Sequence, residues 1–106
     1  MKILFDQGTP VPLRRHLENH TIETEFERGW QELENGELLS TAEDAGFELL
    51  VTTDQNLKYQ QQLAERKIGI VVLKTTSWPR IQRRIETIRL VIDGCKTADY
   101  HEIEIP

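Results

Sequence analysis

Two short apolar runs in this chain end on a carboxylate. Lys2-Ile3-Leu4-Phe5 stops at Asp6, and Glu48-Leu49-Leu50-Val51-Thr52-Thr53 stops at Asp54. Runs of this length and composition read as buried strands. Neighbouring strands lie about 4.8 Å apart, so direct pairing of these two would bring Asp6 and Asp54 together. Like charges held that close are unfavourable unless a proton or a cation sits between them. Mg²⁺ or Mn²⁺ answers that need, because hard cations take oxygen ligands and often bind through one or two carboxylates plus water and phosphate. Glu37, in the first turn of the helix that precedes the second of these strands, is the third candidate acid. Such a site would activate water and stabilise the charge on a phosphodiester during in-line attack.

The elements that must position these acids follow in chain order. Thr9-Pro10 reads as an N-cap with a proline at the first helical position, and Leu13 and Leu17 share one face of a helix from Pro10 to Glu18. Thr21–Phe26 alternates in the manner of an edge strand exposed on one side. Asn35 is a good cap for a helix whose apolar stripe is Leu38, Leu39, Ala42 and Ala45, with Gly46 placed for a left-handed ending. From Asp54 the composition turns helical through Leu57, Leu63 and Ala64. Lys67–Leu73 is the near-continuous apolar run of a strand covered on both faces. Ser77-Trp78-Pro79 starts one long helix, with Ile81, Ile85, Ile88 and Ile92 on its apolar face and Gly94 at its end. Tyr100–Ile105 alternates again as a short edge strand. The order β-α-β-α-β-α-β-α-β predicts a three-layer α/β fold: an open, mainly parallel sheet of about four to five strands with helices on both faces and right-handed crossovers. Ligands of such sheets gather beyond the carboxyl ends of the strands near the switch in strand order, here beside the first strand.

Composition bounds the rest. The 106 residues predict one domain, 1–106. Charged residues at 29% and hydrophobic ones at 38% are those of an ordinary soluble globule. No apolar run approaches the roughly 18 residues of a membrane span, and the N-terminus lacks a signal-peptide pattern, so no membrane partner and a cytoplasmic location are expected. Cys95 is the only cysteine, which excludes an intrachain disulfide and a multi-cysteine zinc site. A net charge of −5 disfavours non-specific nucleic-acid binding through the whole-protein field, leaving local basic faces to do such work.

Taken together, Lys2-Ile3-Leu4-Phe5-Asp6 before a proline-started helix, Asn35-Gly36-Glu37-Leu38-Leu39, Leu50-Val51-Thr52-Thr53-Asp54 and Ile70-Val71-Val72-Leu73 resemble the small PIN-like family related to toxin-type PIN-domain ribonucleases. The resemblance spans essentially the whole chain. It implies a PIN-like fold, RNA cleavage dependent on Mg²⁺ or Mn²⁺, a toxin role beside a small antitoxin protein, and Asp6, Glu37 and Asp54 as catalytic and metal-holding acids. Three positions depart from the pattern: Gln7 and Asn35 stand where the family commonly has acids, and Lys74 to Ser77 lack a fourth acid after the next strand. These losses imply weaker metal affinity and keep open a second reading, a degenerate PIN-like module that binds RNA or a partner protein. An acid near the end of a third strand also resembles the phosphoacceptor of receiver domains, but Gln7 breaks the paired acids of that family and the last strand ends in Glu104 and Pro106 rather than on a lysine.

The remaining residues fall into supporting roles. Gln7, Asn35, Thr53 and Asn56 are placed to orient the carboxylates or a water. Arg14 and Arg15, on the first helix near the carboxyl edge, are the better candidates for RNA phosphate, while the arginines of the last long helix read as a solvated face with Arg83 paired to Glu86. His16 and His20 read as ordinary helix-end residues rather than a metal pair, and Trp30 as a core plug. The alternating C-terminal strand offers an edge that a second copy could extend into a homodimer.

Overall fold

The computed structural model describes residues 1–57, 66–96 and 98–106. Five strands form one all-parallel sheet: β1 (Lys2–Phe5), β2 (Thr21–Thr24), β3 (Leu49–Thr52), β4 (Gly69–Leu73) and β5 (Tyr100–Ile103), in the order β2-β1-β3-β4-β5. The central strands are mostly apolar because both faces are covered, and every residue of β3 and β4 is buried, the polar Thr52 included. The alternating segments become the two edges, β2 and β5.

The pleat divides the core between the two faces. On one side Ile3, Phe5, Leu49, Val51, Val71 and Leu73 meet Leu13, Leu17, Ile81, Ile88 and Ile92; on the other Leu4, Leu50, Ile70 and Val72 meet Leu38, Leu39, Ala42 and Leu57. Successive strand residues therefore feed opposite cores, as a period of two requires. The result is the expected layering, with helix α1 (Asn35–Asp44) on the second face and helices α2 (Trp78–Gln82) and α3 (Ile85–Gly94) on the first.

Three helical expectations change. The segment after Asp6 is a 3₁₀ helix, Val11–His16, and Pro10 remains extended at φ −62°, ψ 123°. Thr9 does not cap it, since its hydroxyl is engaged with Asp6 and with the Val51 carbonyl. Asn35 is the first residue of α1 rather than its cap, and its side chain reaches Asp54 instead. The long C-terminal helix is two helices broken at Arg83 and Arg84, the latter at φ −118°, ψ 21°. The break keeps both Ile81 and Ile85 buried. Other expectations match: Ser77 caps α2 by accepting from the Arg80 N–H, and Gly46 ends α1 at φ +86°. The helical stretch expected beyond Leu57 falls on residues 58–65, outside those described.

Candidate active site at the carboxyl edge of the sheet

Strand register sets the first side chains of the site. Phe5 pairs with Thr24 of β2 and with Val51 of β3. One residue further, the Glu25 N–H donates to the Phe5 carbonyl (2.8 Å) and the Asp6 N–H to the Val51 carbonyl (3.2 Å). Glu25, Asp6 and Thr52 thus stand side by side where β2, β1 and β3 end. The β1–β3 boundary is also where the strand order reverses, the place at which open parallel sheets bind ligands.

The Asp6 carboxylate is held by a cradle of hydroxyls and backbone. Oδ1 accepts from the Thr9 hydroxyl (2.8 Å) and the Gly8 N–H (3.2 Å), and Oδ2 accepts a short bond from the Thr52 hydroxyl. Thr52 in turn accepts from the Asp54 N–H (3.0 Å), so one hydroxyl joins the Asp6 carboxylate to the backbone of Asp54. Asp54 is oriented from two sides, Oδ2 accepting from the Asn35 amide (3.1 Å) and Oδ1 from the Asn56 N–H (2.9 Å). The second bond is a local turn of the kind Asp favours at a helix entry.

Electrostatics set Asp6 and Glu25 apart from surface acids. Burial pushes the Asp6 carboxyl above its ordinary 3.8, against the bonds from Thr52, Thr9 and Gly8 that favour its charge. Glu25 is only 5% exposed, and burial raises it above its ordinary 4.5. The Gln7 N–H, which donates to Glu25 Oε2 at 2.9 Å, offsets part of that rise, and the Asp6 charge adds to it.

Sequence reasoning missed Glu25, Thr9 and Thr52. Alternation along Thr21–Phe26 assigns Glu25 to the solvent side, yet the strand ends at Thr24, the chain turns, and Glu25 is buried while Phe26 is 75% exposed. The available signal was the form already recognised twice, a short β-rich run ending on an acid.

The other predicted residues divide. Asn35 and Asn56 orient Asp54, as expected of them. Thr53 packs against Gly8, where its hydroxyl occupies the space a Cβ would need. Gln7 serves through its backbone, its side chain turning to the Gln31 carbonyl (2.6 Å). Arg14 is committed to Glu27 (2.9 Å) and to the Ile22 carbonyl (3.4 Å), whereas Arg15 is exposed. Glu37 is exposed in the first turn of α1 and has no described contact with Asp6 or Asp54. Among the described residues no three His, Cys, Asp or Glu side chains are gathered as a metal ion requires. His16 lies against Trp78 (6.0 Å between rings) and His20 bonds Asp93 (2.6 Å), so the two histidines have separate partners. Trp30 plugs the core edge-on to Phe47 (5.9 Å).

No family model, curated protein or solved structure matches this chain.

The donor set tests the fit of a divalent cation. Asp6 and Asp54 offer only oxygen, the donor a hard cation prefers, and one or two carboxylates with water suffice for Mg²⁺. Among the described residues neither Asp6 nor Glu25 has an ion-pair partner. Asp6 and Asp54 are the residues that would hold such a cation.

Proposed function

We propose that this protein is a divalent-metal-dependent ribonuclease of the PIN-like type, with Asp6 and Asp54 holding Mg²⁺ or Mn²⁺. The observation that carries the reading is the Thr52 hydroxyl, which joins the Asp6 carboxylate to the Asp54 backbone N–H across β1 and β3, at the strand-order switch and near the buried Glu25. A bound cation of this kind supplies an activated water and charge stabilisation on a phosphodiester. Thr9, Gly8 and Thr52 fix the orientation of Asp6, Asn35 and the Asn56 N–H fix that of Asp54, and Glu25 keeps the local field negative. Glu37 as a further ligand, and the toxin role beside a small antitoxin, rest on the resemblance alone. A homodimer would use the β5 edge.

A specific observation favours a second reading, the degenerate module. Both oxygens of Asp6 already accept hydrogen bonds, and burial biases the group toward its neutral form, so the cradle can be complete without a cation. Calorimetry with Mn²⁺ combined with cleavage of a mixed RNA pool separates the two. The nuclease reading expects Mn²⁺ binding and cleavage, both lost in Asp6→Asn and Asp54→Asn. Absence of binding and cleavage in the unaltered protein assigns it to the second reading, and equal cleavage by the variants would show that the activity belongs to a contaminant.

A further inference from the structure

Arg80, Arg83 and Arg84 are exposed, and among the described residues their guanidinium groups have no hydrogen-bond or ion-pair partner. Other arginines are committed: Arg14 to Glu27, Arg28 to Glu23, Arg66 to Glu43 and Arg89 to Glu86. Arg15, on the 3₁₀ helix, is likewise exposed, whereas Arg80, Arg83 and Arg84 flank the junction of α2 and α3, with Arg83 closing α2 and Arg84 opening α3. Arg83 lies one turn beyond Arg80, its N–H donating to the Arg80 carbonyl (3.2 Å), and Arg84 follows it directly, so the three cations are close neighbours at the break between the helices. Like charges that close repel. The acid best placed to relieve them, Glu86, lies three residues beyond Arg83 but is bonded to Arg89 at 2.5 Å. A chain of net charge −5 therefore keeps an uncompensated cationic face at one place.

The chain enters that face from the carboxyl edge. β4 ends there, and the loop of residues 74–77 leads directly into α2. Trp78, the first residue of α2, lies against His16 at the end of the 3₁₀ helix that leads away from Asp6. Guanidinium forks match phosphate oxygens in geometry as well as charge. We infer that Arg80, Arg83 and Arg84 form a phosphate-contacting track for single-stranded RNA leading to the Asp6–Asp54 edge. The inference rests on the RNA reading above and displaces Arg14, whose charge is already answered by Glu27, from that role.

The test is binding of a fluorescently labelled poly(U) oligonucleotide, followed by anisotropy with a chelator present so that binding is read without cleavage. Each phosphate contact to a single strand contributes about 0.7 to the slope of log affinity against log salt. Arg80→Gln/Arg83→Gln/Arg84→Gln should therefore flatten the slope by about 2. Between about 50 and 200 mM salt the unaltered protein should lose roughly 15-fold more affinity than the triple variant. The lysine version of the triple should retain the slope, and Arg83→Gln alone should lower it by about 0.7, which keeps the test valid should the triple variant fold poorly. An unchanged slope in both glutamine variants overturns the track while leaving the nuclease reading standing. Loss of self-association or of binding to an acidic protein, with RNA binding intact, assigns the face to protein and also overturns it. No RNA binding by the unaltered protein overturns it as well. Slope loss in a protein that never cleaves RNA upholds the track and removes only the nuclease reading.

Discussion

Replacing Asp6 by Asn should make the fold more stable at neutral pH while removing any metal-dependent activity. Burial holds the folded-state pKa of Asp6 above 3.8 and that of Glu25 above 4.5. The folded chain therefore binds these protons more tightly than the unfolded chain. Stability falls as pH rises from the ordinary values through the elevated ones, and above the elevated values the penalty is complete. An amide in place of the Asp6 carboxylate still accepts from Thr9 and Gly8 through its oxygen. Opposite Thr52 it presents a donor instead of an acceptor, which puts at stake one hydrogen bond worth about 0.5–1.5 kcal/mol. Against that loss, each unit of pKa elevation removed returns about 1.4 kcal/mol, and Glu25 is relieved of the Asp6 charge as well. The Asn variant should therefore be the more stable of the two at neutral pH, the relief of the buried charge outweighing the one hydrogen bond at stake. Urea and thermal unfolding of both proteins between about pH 4 and pH 8, with a chelator present, should show the gap widest at neutral pH and closing toward acid. A variant less stable than the parent at neutral pH, or a gap that ignores pH, would refute the reasoning and make Asp6 a structural acceptor.

Two further perturbations test the frame around the site. Glu43 is partly buried, which works against its charge, yet bonds from the Lys67 N–H, Arg66 and the Ile68 N–H bring its carboxyl below 4.5. Glu43→Ala should cost about 1–3 kcal/mol at neutral pH. The stability Glu43 contributes is present above 4.5 and lost as pH falls through its depressed value, so chemical denaturation should show the cost vanishing in acid. Gly46→Ala forces a side chain onto a backbone at φ +86° where nothing else crowds it, and should lower stability by about 1–2 kcal/mol in urea titration without altering Mn²⁺ or RNA binding.

The amino-acid sequence by itself determined the layered α/β plan. Runs such as Gly69–Leu73 can only be strands covered twice, and the alternation in Tyr100–Ile103 marks an edge, because burial pattern along a strand is local information. It also located Asp6 and Asp54 at strand ends, and Asn35 as a polar residue of the site. What it could not express was the lateral register of β1 against β2 and β3, since pairing joins residues far apart in the chain. That register brings Glu25 beside Asp6 and reveals Thr52 as the link from the Asp6 carboxylate to the backbone of Asp54. Helix spacing paired Arg83 with Glu86 and left Arg14 for RNA; in the folded chain Glu27 answers Arg14, while Glu86 bonds Arg89 three residues on and leaves Arg83 exposed. Charge and burial become properties of a residue's neighbours once the chain is folded, which is why the burial of Glu25 and the choice of Arg89 by Glu86 were legible only in three dimensions.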